Sequence, residues 1–188
     1  MKRQSKLAVT VAAVLLAILG GTALYAQDKA KTSVKASDKY SLVSPSGIKF
    51  AGFKGYEDWS VVSSARTDEV LKVIVANPIM IEAYKSGIPG NGKPFPEGSK
   101  IAKLQWKFKK STEAPFVVDV PDVFTQAFVI EKDSKRFPKS AGWGYALFDY
   151  DATADTFSAD PTGVSDCGHS CHVKVAAKDH IFHPYQKR

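Results

Sequence analysis

The last part of the chain holds a short cluster of residues that could bind a metal or a prosthetic group. The stretch SDCGHSCHVK, residues 165–174, contains both cysteines of the chain, Cys167 and Cys171, together with His169 and His172. Such residues serve in a disulfide, in a zinc site or in the attachment of haem c. In haem c, two cysteines form thioethers with the vinyl groups, and the histidine that follows binds the iron. These chemistries imply different functions, so the rest of the chain has to decide between them.

The spacing favours haem c without excluding the other two. The order is Cys-x-x-x-Cys-His, one residue longer than the usual motif, and we expect a bulge in the attachment loop to accommodate the extra residue. A disulfide between Cys167 and Cys171 would close a very short loop and add little stability. A zinc site would need all its ligands from one short segment, which cannot easily surround the metal as a tetrahedron. Haem c, with its iron, is therefore the favoured interpretation.

The N-terminus has the pattern of an export signal. Three basic residues lie within the first six positions, and an apolar run follows that ends near Ala26. This order predicts a signal peptide over residues 1–26 and a periplasmic protein, which agrees with haem c because thioethers are formed outside the cytoplasm. An uncleaved membrane anchor is the alternative, since the run approaches the roughly 20 residues that span a bilayer. With cleavage, we expect no stable membrane insertion.

The remainder of the chain is long enough for one domain. Residues 27–45 are mostly small and polar and predict a flexible linker, and residues 46–188 predict a single haem domain. The formal net charge of +7 includes the basic residues of the signal, so the mature charge is too small to indicate nucleic acid as a partner. No glycine-rich loop with a P-loop lysine indicates phosphate binding.

The periodicity predicts a mainly β fold of the α+β class: an antiparallel β-sheet domain with a few short helices, in which a C-terminal segment binds covalent haem c. Residues 71–76, LKVIVA, are β-branched and predict a strand. The segment KIAKLQWKFKK alternates, with Leu104 and Trp106 on one face and Lys103 on the other. A helix is predicted after Asn77, which stands at an N-cap position before a proline, and a second helix around the cysteines.

The coordination of the iron is the next question. After removal of the signal, Met80 is the remaining methionine, and its place inside the first predicted helix favours a core residue over an axial ligand. His180 and His183 follow His172 closely, and we expect them on the same side of the haem. The sixth position then has no obvious protein ligand, which favours binding or conversion of a small molecule over electron transfer alone.

Several motifs resemble those of the cytochrome P-460 family and its relative cytochrome c′-beta. They are YEDWSVV, VIVANPIMIEAYKSG, FPEGSKIAKLQW, KDSKRF, GWGYALFDY and the late Cys-His segment that continues as VKVAAKDHIFHPYQKR. The resemblance extends from about Tyr56 to the C-terminus. It implies a homodimer of mostly antiparallel sheet with a five-coordinate haem c, held by Cys167 and Cys171 with His172 as the iron ligand.

The resemblance also assigns three further site residues. In cytochrome P-460 a lysine is bonded to the edge of the porphyrin, and the spacing from FPEGS places it at Lys103. The family's distal arginine falls on Lys72, which keeps the positive charge without the planar guanidinium. The family's catalytic acidic residue falls on Phe128, and a phenyl ring cannot accept protons. Lys72 and Phe128 are therefore expected in the distal pocket.

The implied function is an oxidoreductase that oxidises hydroxylamine or binds and converts nitric oxide, passing electrons to an acceptor cytochrome. Oxidation of hydroxylamine releases protons, so phenylalanine at the acidic position should slow or abolish that step. An apolar pocket suits nitric oxide instead. The alternatives are a non-enzymatic protein that binds nitric oxide, like cytochrome c′-beta, and a plain electron-transfer cytochrome.

Overall fold

A computed structural model describes residues 32–186, and one antiparallel β-sheet dominates this part of the chain. Its seven strands have the order β1-β7-β6-β5-β4-β3-β2, and every pair of neighbours is antiparallel. The strands are β1 (Ser33–Lys35), β2 (Ser60–Arg66), β3 (Val70–Ala76), β4 (Lys100–Ser111), β5 (Val118–Lys132), β6 (Trp143–Asp151) and β7 (Thr156–Ala159). The prediction of a mainly antiparallel β fold with a few short helices is therefore confirmed.

Two α-helices lie within the described residues, α1 (Pro78–Lys85) and α2 (Ser165–His172), and short 3-10 helices lie between the strands. The start of α1 is as predicted. The Asn77 side-chain oxygen accepts a hydrogen bond from the Met80 backbone N–H at 3.2 Å, and Pro78 is the first helical residue. Met80 is fully buried in the core and does not line the cavity described below, as expected of a core residue.

The register of the central strands separates two faces of the sheet. Ile74, Lys103, Phe128 and Leu147 lie directly opposite one another on β3 to β6, so their side chains share one face, which we name the cavity face. The next row of residues points to the other side, which we name the packed face, and its members are Val75, Ala102, Val129 and Ala146.

The segment between β1 and β2 covers the packed face. Short 3-10 helices at Phe50–Phe53 and Tyr56–Asp58 bring large apolar side chains onto the sheet. The buried members of this segment are Leu42, Ile48, Phe50, Phe53 and Tyr56. Burial of their apolar surface is the main source of stability on this side of the sheet.

The prediction of a flexible linker over residues 27–45 is wrong for the part of it that the structure describes. Residues Ser33–Lys35 form β1, which pairs with β7, and Ala36–Ser41 form a 3-10 helix. Leu42 is buried with 5% of its surface exposed. The polar composition concealed these elements, because backbone pairing and one leucine anchor the segment without any apolar period. The predicted signal peptide, residues 1–26, lies outside the described residues. Within residues 32–186, no helix is long and apolar enough to cross a membrane.

Candidate functional site

A cavity of about 400 Å³ lies against the cavity face, with α2 and the segment around Ile181 forming its other wall. Its lining is mostly apolar, with Ile101, Ile130 and Leu147 on the sheet side. Five of the predicted site residues line it: Lys103, Phe128, Cys167, Cys171 and His172. Residues far apart in sequence thus meet around one space that is large enough for an organic ligand.

Helix α2 presents both thiols to this cavity. Cys167 and Cys171 are four residues apart in a regular helix, so their side chains lie on one face, and both are exposed and not bonded to each other. The expected bulge in the attachment segment is therefore wrong, because one turn of helix accommodates the extra residue. Among residues 32–186, no group of three or more histidine, cysteine or acidic side chains is arranged to hold a metal ion.

The start of α2 is fixed to the sheet and to an earlier loop. The Ser165 hydroxyl accepts a hydrogen bond from the Tyr145 backbone N–H at 3.2 Å, and the Ser165 N–H donates to the Ser46 hydroxyl at 2.7 Å. Gly168, between the cysteines, lies against the Tyr145 ring so closely that a Cβ there would overlap it. The glycine therefore allows α2 to pack on β6 and sets the distance of the thiols from the sheet.

The His172 imidazole is oriented by a backbone carbonyl. Its Nδ1 lies 2.6 Å from the carbonyl oxygen of His180, so Nδ1–H donates and the Nε2 lone pair stays free. The ring packs between Tyr145 and Phe182, each with its centroid 4.8 Å away. Burial lowers the pKa of His172, which favours the neutral form that binds metals. Sequence reasoning missed these contacts, and no sequence motif marks the carbonyl.

The Lys103 amine is buried beside an aromatic ring. Its Nζ lies 3.8 Å from the ring centroid of Phe128, the residue directly opposite it on β5. Burial, with a smaller effect from the positive charge of Lys72, lowers the pKa of Lys103 to about 8. About a tenth of this amine is therefore unprotonated at pH 7, and the unprotonated form is the one that acts as a nucleophile or base.

Lys72 lies on the cavity face but not in the cavity lining. It pairs with Gln105, two positions along the strands from the pair of Ile74 and Lys103. His183 does line the cavity, and its carbonyl accepts a hydrogen bond from the Tyr84 hydroxyl at 3.0 Å. Burial lowers the pKa of His183, and the charges of Lys103 and Lys72 lower it further, so Lys72 acts on the cavity through its charge.

A family model described as Cytochrome P460 matches residues 53–183, a range that contains every candidate site residue named above. No curated protein matches the chain.

Proposed function

The chain belongs to the cytochrome P460 family, and from this membership and the cavity we propose an exported, periplasmic c-type mono-haem protein that oxidises hydroxylamine or binds and converts nitric oxide. The family implies a c-type haem with its iron. The observation that carries the proposal is the meeting of two thiols, a carbonyl-oriented imidazole and a buried lysine at one apolar cavity.

The residues present fit a haem c. Cys167 and Cys171 lie on the same side of α2 and line the cavity, so each thiol is available for a thioether with one vinyl group. His172 has its Nδ1 hydrogen occupied by a carbonyl, which leaves Nε2 for the iron. The haem would supply an iron with an open coordination position that binds a small nitrogen compound and exchanges electrons with it.

Lys103 is the proposed cross-link to the porphyrin edge. Its amine is buried at the cavity and has a pKa of about 8, so part of it carries the free lone pair that bond formation requires. A covalent bond there would distort the macrocycle and change its redox properties. Lys107, on the same strand, is exposed to solvent and serves as the matched lysine for comparison.

The second candidate function is binding of nitric oxide without turnover, and the composition of the cavity favours it. Phe128 occupies the family's acidic position, and the described residues that line the cavity include no aspartate or glutamate. Oxidation of hydroxylamine needs a group that accepts protons, which here would have to be His183 or the unprotonated Lys103 amine, whereas binding of nitric oxide needs none. In this proposal Phe128 forms an apolar wall of the distal pocket, and Lys72 contributes positive charge from the edge of that pocket.

Two partners complete the proposal. An acceptor cytochrome would remove the electrons that hydroxylamine oxidation releases, and a second copy of the chain would form the homodimer that the family resemblance implies. Both follow from the resemblance, and sedimentation of the haem-loaded protein tests the dimer.

The decisive experiment compares wild-type protein, Lys103→Ala and Lys107→Ala, each exported and loaded with haem. We expect a strongly red-shifted ferrous Soret band in wild type and Lys107→Ala that is lost in Lys103→Ala. Hydroxylamine turnover with an artificial oxidant is then measured on the same samples. A fully loaded, cross-linked protein without turnover contradicts the enzyme and leaves nitric oxide binding, whereas absence of haem contradicts the whole proposal.

A second variant separates the two candidate functions. Phe128→Glu places a carboxylate beside Lys103 and should increase hydroxylamine oxidation by about 10-fold or more, the typical contribution of a positioned base being 10²–10⁴-fold. Phe128→Leu is the control, because it changes the ring but adds no base. Equal rates in both variants would show that position 128 does not face the reacting nitrogen.

A further inference from the structure

We propose that the buried ion pair of Lys132 and Asp179 is a positioning device, which holds the His180 carbonyl against His172 and thereby strengthens that imidazole as an electron donor to the iron. The inference rests on the proposed role of His172 as the haem ligand. It concerns residues outside the cavity lining, to which the family resemblance assigned no role.

The contact that reaches the imidazole is a hydrogen bond to the backbone of residue 180. The His172 Nδ1–H donates to the His180 carbonyl oxygen over 2.6 Å, a short bond for this type. A hydrogen bond from the ring nitrogen that faces away from a metal raises the basicity of the nitrogen that binds it. The strength of this donation therefore depends on where the backbone of residue 180 is held.

The backbone at residues 179 and 180 needs support from the surrounding structure. Asp179 has φ of 46° and His180 has φ of 64°, so two consecutive residues with side chains adopt the left-handed conformation. Each such residue costs about 1–2 kcal/mol relative to the right-handed region. An isolated turn of this kind would relax and carry the carbonyl of His180 with it, so something in the surroundings has to retain it.

The ion pair of Asp179 with Lys132 supplies that support. The Asp179 carboxylate lies 3.0 and 3.2 Å from the Lys132 Nζ and accepts a further hydrogen bond from the Phe95 N–H at 2.8 Å. The Lys132 side chain is only 6% exposed and also donates to the Ala141 carbonyl at 3.0 Å. The turn is thus fixed to the end of β5 and to two loops, each of which is fixed to the sheet.

The burial of the pair explains why it is suited to this task. Removing one partner of a buried ion pair leaves an uncompensated charge, so the two groups resist separation. The His180 carbonyl shares its peptide plane with the Ile181 N–H, which donates to the Lys178 carbonyl at 3.1 Å, and Ile181 is 3% exposed, so this plane is held on its far side. The ion pair holds the residue immediately before His180 and so fixes where the whole turn, with its carbonyl, lies relative to His172.

The test uses the haem-loaded full chain with Asp179→Asn and Lys132→Met. Asp179→Asn keeps the size and the acceptor for Phe95 and so is the milder variant. The readouts are the reduction potential and the iron–histidine stretching band of the ferrous protein in resonance Raman spectra. In both variants we expect the potential to shift upward and the band to move to lower frequency, because His172 becomes a weaker donor.

The control removes a more exposed ion pair at a neighbouring position. Arg136, 44% exposed, pairs with Glu131, 10% exposed, and its other polar partners are the Gly47 carbonyl and Asp133, which lie outside the turn at 179 and 180. Arg136→Met should lower the melting temperature and leave both haem readouts at their wild-type values. The double variant of Lys132→Met and Asp179→Asn should shift them no further than Lys132→Met alone, because both substitutions remove one support.

The outcomes separate this inference from the proposed function. If Asp179→Asn and Lys132→Met lower the melting temperature while the band and the potential stay unchanged, the ion pair is structural only and the inference is wrong. If the wild-type protein takes up no haem, or His172→Ala keeps the wild-type iron–histidine band, the proposed role of His172 fails first.

Discussion

The two faces of the sheet differ in how completely they are filled. On the packed face, the rings of Phe50 and Phe148 are stacked at 4.4 Å with an interplanar angle of 4°, and both are fully buried. The cavity face is on the other side of the same strands. It leaves about 400 Å³ of space and holds the buried amine of Lys103. One sheet therefore carries a close-packed side and an open side.

The difference shows where stability and function are located. Among the residues that the structure describes, buried polar atoms without a hydrogen-bond partner on the side of the cavity face include Trp143 Nε1, Tyr145 OH, His169 Nδ1 and His180 Nδ1. Each such atom costs about 1–3 kcal/mol, and the buried amine adds a further cost. Burial of apolar side chains on both faces offsets these costs, and truncation of a close-packed ring should lower the free energy of unfolding more than truncation of a ring at the cavity wall.

The largest expected change in stability separates two phenylalanines that lie on adjacent strands and point to opposite faces of the sheet. Phe148→Ala removes a fully buried ring from the packed face and should lower the free energy of unfolding of the apoprotein by about 3–5 kcal/mol. Phe128→Ala, at the half-open wall of the cavity, should lower it by about 1 kcal/mol. Urea denaturation measures both, and equal losses would mean that the cavity face is packed as tightly as the other.

The next largest change in stability should come from the contact between α2 and the cavity face. Gly168→Ala places a Cβ inside the Tyr145 ring, so α2 must move outward, and the free energy of unfolding should fall by about 2 kcal/mol. Ser170→Ala is the matched control on the exposed side of the same helix and should change it by less than about 0.5 kcal/mol. If Gly168→Ala were neutral or stabilising, helix propensity would outweigh packing, and α2 would be loosely attached.

The faces of the sheet could be assigned from the sequence because each strand and helix carries a local signal. The alternation on β4 predicted that Lys103 and Leu104 point to different faces of the sheet, as the structure shows. Asn77 before Pro78 predicted the start of α1, which the structure also shows. Both signals depend only on residues a few positions apart. The cysteine pair and His172 were likewise found from their spacing, and the family model now supports a haem protein.

The remaining features depend on contacts between distant segments, which a single sequence does not record. The pairing of β1 with β7 ordered a stretch whose composition indicated a linker. The regular helix through Cys167 and Cys171 follows from the fit of Gly168 on Tyr145, so the expected bulge was wrong. The carbonyl that orients His172 is a backbone atom, and no side chain marks it in the sequence.

A smaller effect should come from the buried amine of Lys103 and should depend on pH. Its pKa falls from 10.5 to about 8 on folding, so below pH 8 the folded state carries the full cost of burying a charge. Between these values the unfolded state binds more protons, and the free energy of unfolding of the apoprotein should rise with pH. Lys103→Met should therefore stabilise the protein at pH 7 by about 1–2 kcal/mol and remove that rise. Lys107→Met, at an exposed position, should leave the pH profile unchanged.

The smallest effect on stability should come from the residues with the clearest proposed function. Cys171→Ser changes an exposed side chain, so the free energy of unfolding of the apoprotein should change by less than about 0.5 kcal/mol. In the haem-loaded protein the same substitution should leave a single thioether, which moves the pyridine haemochrome band to longer wavelength. Cys167→Ser should behave in the same way, and both substitutions together should leave no haem bound through denaturation once Lys103→Ala has also removed the proposed cross-link. A loss above about 1 kcal/mol in the apoprotein would instead show that the thiols support the fold, and the cavity face would then be more than a binding site.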